Sequence, residues 1–316
     1  MKEHLKIHDN LIESTSNDFL TWKFCAPIFI TNQFGTFFDQ DADLLSSENS
    51  LPKTRNGTLT FIEHEKKVYG ITCRHVIDQL DKANAIIKKN FREKHKIDNV
   101  PLEALFHLFI PNQLKQLHVA SHFINIPGDE FTGEYPDISI AQINPNILKE
   151  IGREPIALSE TPNIITQNQP GFCGIATGYP EQKRNIKPSN SKQGLNDLAI
   201  SVMVACAPFN IFNDRSIQLF AEIEDDPDLD NLSGMSGGPI FWSTQNDWGF
   251  AGIMTKARDI KSKTNYETIV QGPTIWIDGE KINHDIIIKC IETYLSKDKQ
   301  IKDLTKTLYI PDIKQN

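Results

Sequence analysis

From Phe24 onward the chain is written in short runs of Ile, Val, Phe and Thr, each bounded by turn residues. Runs of this length, recurring this regularly, predict the strands of an all-β sandwich or barrel. They cover 26–31, 57–63, 68–72, 104–110, 138–143, 174–178, 199–207, 218–223, 239–242, 248–255 and 274–277. Two stretches break the texture. Residues 78–95 carry Leu80, Ile86, Ile87 and Phe91 at helical spacing, and 285–295 carry Ile286, Ile287, Cys290, Ile291 and Leu295 as one helical stripe. The Pro- and Asn-bearing segment 144–170 reads as the connection between two β halves.

Composition narrows the function classes. Lys plus Arg is 33 against 41 Asp plus Glu, and a net charge of −8 argues against a protein built to grip nucleic acid. Six basic residues between Lys82 and Lys96 read as a solvated helix face. The first ten residues hold no apolar core of a signal peptide, and the longest uncharged apolar stretch, 199–209, is short and contains Pro208. The expectation is a cytoplasmic chain with no membrane partner. Five widely spaced cysteines (25, 73, 173, 206 and 290) form no CxxC pair, so reduced, buried thiols are expected rather than a disulfide framework or zinc site.

The hexapeptide Gly234-Met235-Ser236-Gly237-Gly238-Pro239 carries the chemistry. A serine nucleophile needs its Oγ exposed on a tight turn with backbone N–H groups aimed at the developing oxyanion, and glycines permit both. The hexapeptide also satisfies G-x-S-x-G, the nucleophile elbow, which needs a strand before the serine, a helix after it, and acid and His downstream. Here an acidic segment, 225–230, precedes the serine, Gly-Gly-Pro follows it, and only His284 lies downstream. The elbow reading fails. The order His, Asp, Ser does better. The run Val68-Tyr69-Gly70-Ile71-Thr72-Cys73-Arg74-His75 brings a histidine to a hairpin end, and Pro136-Asp137-Ile138-Ser139-Ile140-Ala141 puts an acid at the head of an alternating strand.

Taken together these features resemble the chymotrypsin-like (trypsin-like) serine peptidases of the bacterial intracellular type, from about Ala26 to the closing helix. The resemblance implies two six-stranded antiparallel barrels with the active site between them, a helical insertion after the histidine and a C-terminal helix. It divides the chain into an N-terminal extension (1–23), a first barrel with His and Asp (24–150), a second with Ser (151–282), and a helix and tail (283–316). By the same resemblance His75, Asp137 and Ser236 form the catalytic triad, and the N–H groups of Gly234 and Ser236 form the oxyanion hole. Thr255, Lys256 and Ala257 form the substrate-binding strand, with Thr255 near the catalytic Asp. A gapless count back from Ser236 puts Asp230 at the base of the pocket for the residue before the scissile bond. Met235 stands where secreted members carry an Asp that pairs with a freshly cut N-terminus, so no such activation is expected.

The expected function is a serine endopeptidase acting on protein or peptide substrates without a cofactor. The alternative is a catalytically silent trypsin-like fold that binds proteins. His118 and His122 stand four apart with no third ligand, and Asn231 occupies the glycine place of a calcium loop, so no metal is expected.

Overall fold

Two β systems follow one another along the chain. The structure, a computed structural model, describes residues 21–31, 56–96, 105–112, 115–119, 122–128, 136–158, 173–188, 196–211, 215–222, 232–244, 248–257, 274–282 and 284–308. The first system is an eight-stranded sheet of β1 (Cys25–Thr31), β2 (Asn56–His64), β3 (Lys67–Thr72), β4 (His107–Asn112), β5 (Lys115–His118), β6 (Ile124–Asn125), β7 (Ser139–Ile143) and β8 (Ile156–Ala157). Its order is β5-β4-β1-β2-β3-β7-β6, and β8 lies parallel to β2 through Ile62 opposite Ile156. The second is a closed six-stranded barrel in the order β12-β13-β16-β15-β14-β9. Its strands are β9 (Cys173–Gly178), β12 (Met203–Ile211), β13 (Ser216–Glu222), β14 (Pro239–Ser243), β15 (Trp248–Ala257) and β16 (Thr274–Lys281). A separate hairpin, β10 (Arg184–Pro188) with β11 (Asn196–Ile200), stands beside it.

The mostly β architecture and one closed barrel agree with the sequence. A second closed barrel is not shown: among the described residues the first system is a half-barrel whose sheet ends on β5 and β6. Two helices pack into its core. Val76, Ile77, Ala83 and Ile87 of α1 (Arg74–His95) join the core of this sheet, as do Ile287, Cys290, Ile291 and Tyr294 of α3 (His284–Leu308). A sheet whose apolar face is covered by helices does not need to close on itself. A short third helix, α2 (Pro145–Ile151), starts on an Asn144 cap and stops at Gly152 in the left-handed region.

The hairpin β2–β3 turns on Glu65 and Lys66, both at positive φ (50° and 64°), which matches the twist of the flanking strands. One buried cluster runs from the first sheet into Ile175, Phe241, Phe250, Ile253 and Ile282 of the second half, and another fills the barrel around Leu219, Trp242 and Met254. Burying a side chain such as Phe61 or Phe241 completely stabilises by about 1.5–3 kcal/mol. The shared cluster therefore locks the two halves against each other. No helix among the described residues is long and apolar enough to cross a membrane.

Candidate active site

The histidine is not at a strand end. β3 stops at Thr72, Cys73 is extended (φ −70°, ψ 141°), and His75 lies in the first turn of α1. The helix thus begins at Arg74 rather than near residue 78. A helix start leaves backbone N–H groups without partners, and the Cys73 side chain makes no capping bond here. Asp137, just before β7, takes that role from across the sheet. Its Oδ1 accepts from the His75 N–H at 3.0 Å, and its Oδ2 lies 2.7 Å from His75 Nδ1. One carboxylate therefore caps the positive end of the helix and fixes the imidazole ring.

Burial alone would raise the Asp137 carboxyl, but the hydrogen bonds from the His75 ring and backbone outweigh it and hold the pKa below the usual range. With an ionised acceptor at Oδ2, Nδ1 carries the proton and Nε2 keeps a lone pair. Nε2 has no partner among the described residues.

Ser236 rides the glycine-rich loop that leads into β14. Gly234 and Gly237 adopt φ of +94° and +89°. A Cβ on Gly234 would lie 2.4 Å from Asn56 Nδ2, and one on Gly237 2.2 Å from Thr58 O, so neither position admits a side chain. The loop's amides divide into two sets. Met235 N–H donates to Leu232 O (3.1 Å), Gly237 N–H to Met254 O (2.8 Å) and Gly238 N–H to Met235 O (2.9 Å). The N–H groups of Gly234 and Ser236 have no acceptor among the described residues. Met235 is wholly buried in the barrel core.

His75, Asp137, Ser236, Thr255, Lys256 and Ala257 line one cleft of about 970 Å³. Glu181, Gln182, Leu232 and Ser233 line it too and were not singled out from the sequence. Glu181 directly follows Gly178-Tyr179-Pro180 at the end of β9. Asp230 lies outside the described residues, as do 1–20 and the rest of the acidic segment 225–230.

Thr255 is bonded through both its side chain and its backbone. Its hydroxyl donates to Asp278 O at 3.2 Å, and its carbonyl accepts from Ser236 Oγ at 3.3 Å. It sits at a register shift between Met254 and Lys256, a bulge that re-aims the residue. The Cys73 thiol approaches Asp137. Cys73 is fully buried, and burial first, then the Asp137 charge, pushes its thiol well above the ordinary value. Its Sγ donates to Met254 O at 3.1 Å. Donor atoms of Cys73, His75 and Asp137 lie within 4.8 Å of one another. A cation there would have to break the His75–Asp137 bond and deprotonate a thiol that burial keeps neutral. His118 sits edge-on to His107 and Phe109, whereas His122 stacks on Tyr294.

No family model matches the chain, and no curated protein does. Among solved structures the chain is similar to one from work on aromatic interactions that drive the coupled folding and binding of the intrinsically disordered Sesbania mosaic virus VPg protein. The match is 10% identical, covers 81% of this chain and 85% of that one, and has a TM-score of 0.35. At that level it carries no argument about activity.

Proposed function

We propose that the chain is a chymotrypsin-like serine endopeptidase working through an acyl-enzyme. The observation that carries this reading is the doubly bonded His75–Asp137 pair in a cleft shared with Ser236. In this mechanism His75 Nε2 takes the Ser236 Oγ proton as the oxygen attacks a peptide carbonyl, and Asp137 stabilises the resulting imidazolium. The N–H groups of Gly234 and Ser236 receive the oxyanion, which fits their lack of other acceptors among the described residues. Collapse expels the amine, protonated by His75, and water then repeats the sequence to release the acid. Lys256 and Ala257 border the path of the peptide.

One observation favours the silent-fold alternative: Ser236 Oγ donates to Thr255 O rather than to His75. A hydroxyl is a rotor, and hydrogen bonds to a general base commonly tighten only when substrate arrives. A fluorophosphonate probe separates the two. Labelling of wild type with none in Ser236→Ala supports the peptidase; a folded wild type that stays unlabelled supports the binding module.

A further inference from the structure

The serine loop is held from behind by β2, a strand of the other half, and one residue of β2 grips it at two points. Thr58 is fully buried. Its N–H donates to Ser236 O at 2.8 Å. Its hydroxyl donates to Gly234 O at 3.0 Å and accepts from Tyr179 N–H at 3.2 Å. Its carbonyl accepts from Thr72 Oγ1 at 2.9 Å, which ties β2 to the strand that leads to His75.

A trans peptide points its C=O and N–H in opposite directions, so pinning a carbonyl aims the next residue's amide the other way. Four consecutive peptide planes from Ser233 to Gly237 are pinned. Ser233 O accepts from Glu181 N–H at 2.6 Å, which aims the Gly234 N–H; Met235 O accepts from Gly238 N–H at 2.9 Å, which aims the Ser236 N–H. Thr58 pins the other two, at Gly234 O and Ser236 O. The Glu181 clamp depends on Thr58 as well, because Tyr179, two residues earlier, is bracketed by the Thr58 hydroxyl and by Asn56 Nδ2 on its carbonyl at 3.1 Å.

Resting on the peptidase reading above, we propose that Thr58 is a positioning residue for the reaction at Ser236: its hydroxyl bridges Tyr179 N–H and Gly234 C=O and so keeps the Gly234 and Ser236 N–H groups aimed at the oxyanion. The need for a hydroxyl is specific. One oxygen must donate and accept at once; serine can do both, and valine, of the same shape as threonine, can do neither. Gly234 reaches its φ of +94° only because glycine is permissive, and the same freedom lets the Ser233–Gly234 plane, which carries the Gly234 N–H, turn once Thr58 no longer steadies Tyr179 and the Glu181 clamp.

The test is steady-state hydrolysis of p-nitrophenyl acetate, expressed per folded molecule, by wild type, Ser236→Ala, Thr58→Val and Thr58→Ser. Thr58→Val is expected to lower kcat by about 10- to 100-fold, somewhat less than deletion of an oxyanion donor outright, with KM little changed. Thr58→Ser is expected to restore most of the rate, a rescue that loss of packing alone would not give. Should Thr58→Val not fold, Thr58→Cys, with a weak donor in the same place, is expected to fall between Thr58→Ser and the loss foreseen for Val. A wild-type rate in Thr58→Val or Thr58→Cys, or a Thr58→Ser as slow as Thr58→Val, overturns the inference while Ser236-dependent hydrolysis leaves the peptidase reading standing. A folded wild type with no Ser236-dependent hydrolysis overturns both.

Discussion

The two halves furnish the cleft in different currencies of structure. The first sheet contributes side chains fixed by hydrogen bonds, with His75 and Asp137 joined at 2.7 Å and the His75 N–H held at 3.0 Å. The closed barrel contributes backbone, a loop whose glycines sit at positive φ and whose amides are sorted into used and unused. A titrating pair needs a carboxylate and a ring in register, which a helix start can supply by capping. An oxyanion site needs bare N–H groups, which a tight glycine loop supplies here. Each half is incomplete without the other, because Thr58 N–H and the Thr58 and Thr60 hydroxyls of β2 bond Ser236 O, Gly234 O and Gly237 O of the barrel loop.

The largest expected effect tests whether the halves act as one unit. Ser236→Ala and His75→Ala should each lower ester or peptide hydrolysis by about 10⁶-fold, with the double variant little worse. Losses that multiply would separate the halves and break the comparison. Next comes the acid on the first sheet, where Asp137→Asn should cost about 10⁴-fold by favouring the wrong imidazole tautomer. The same residue has a pH signature. Its folded pKa lies below the ordinary value of about 3.9, so its stabilising contribution is complete above that value and disappears as pH falls through the lowered one. Urea unfolding at a series of acidic pH values should show this loss in wild type and not in Asp137→Asn.

The barrel side is probed by Gly237→Ala, which forces a Cβ against Thr58 O and Thr72 Oγ1 at a φ of +89°. A loss of about 2–4 kcal/mol in unfolding free energy is expected; a wild-type midpoint would mean that the loop is not clamped. The smallest effect concerns Arg153, which donates from Nε to Cys25 O at 2.8 Å and from Nη2 to the Tyr179 hydroxyl at 3.0 Å while its guanidinium lies over Trp22. Arg153→Met should cost about 1–2 kcal/mol in thermal unfolding with the hydrolysis rate nearly unchanged. A large rate loss there would move the reaction's supports outward from β2.

Much of the strand pattern was legible because period-2 runs and turn residues are local signals. The runs 57–63, 68–72 and 138–143 correspond to β2, β3 and β7 almost residue for residue. The apolar run 199–207 read as one strand but breaks at Ser201 and Val202, since 196–200 pairs with β10 and 203–211 with β9 and β13. Partner choice is not local, and the run holds no Gly or Pro at the break. The two-residue strands β6 and β8 carry too little pattern to be seen. For the site, the residue types around Ser236, His75 and Asp137 stood out by spacing. The bulge at Thr255, the helix start at Arg74 and the grip of Thr58 did not, because each is set by residues distant in sequence. Asn56, Thr58, Thr60 and Thr72 look like ordinary polar strand residues until their partners are known.

The return of α3 to the first sheet has a consequence for the order of synthesis. Tyr294 meets Tyr69 edge-on and stacks against His122, and Ile287, Cys290 and Ile291 complete a core begun by β1 to β3. The whole barrel is translated between these partners, so contacts of such long range form late. A nascent chain halted before residue 284 would carry the first sheet with part of its apolar face bare. In the growing polypeptide, the half that holds the histidine is therefore the first to be made and the last to be finished.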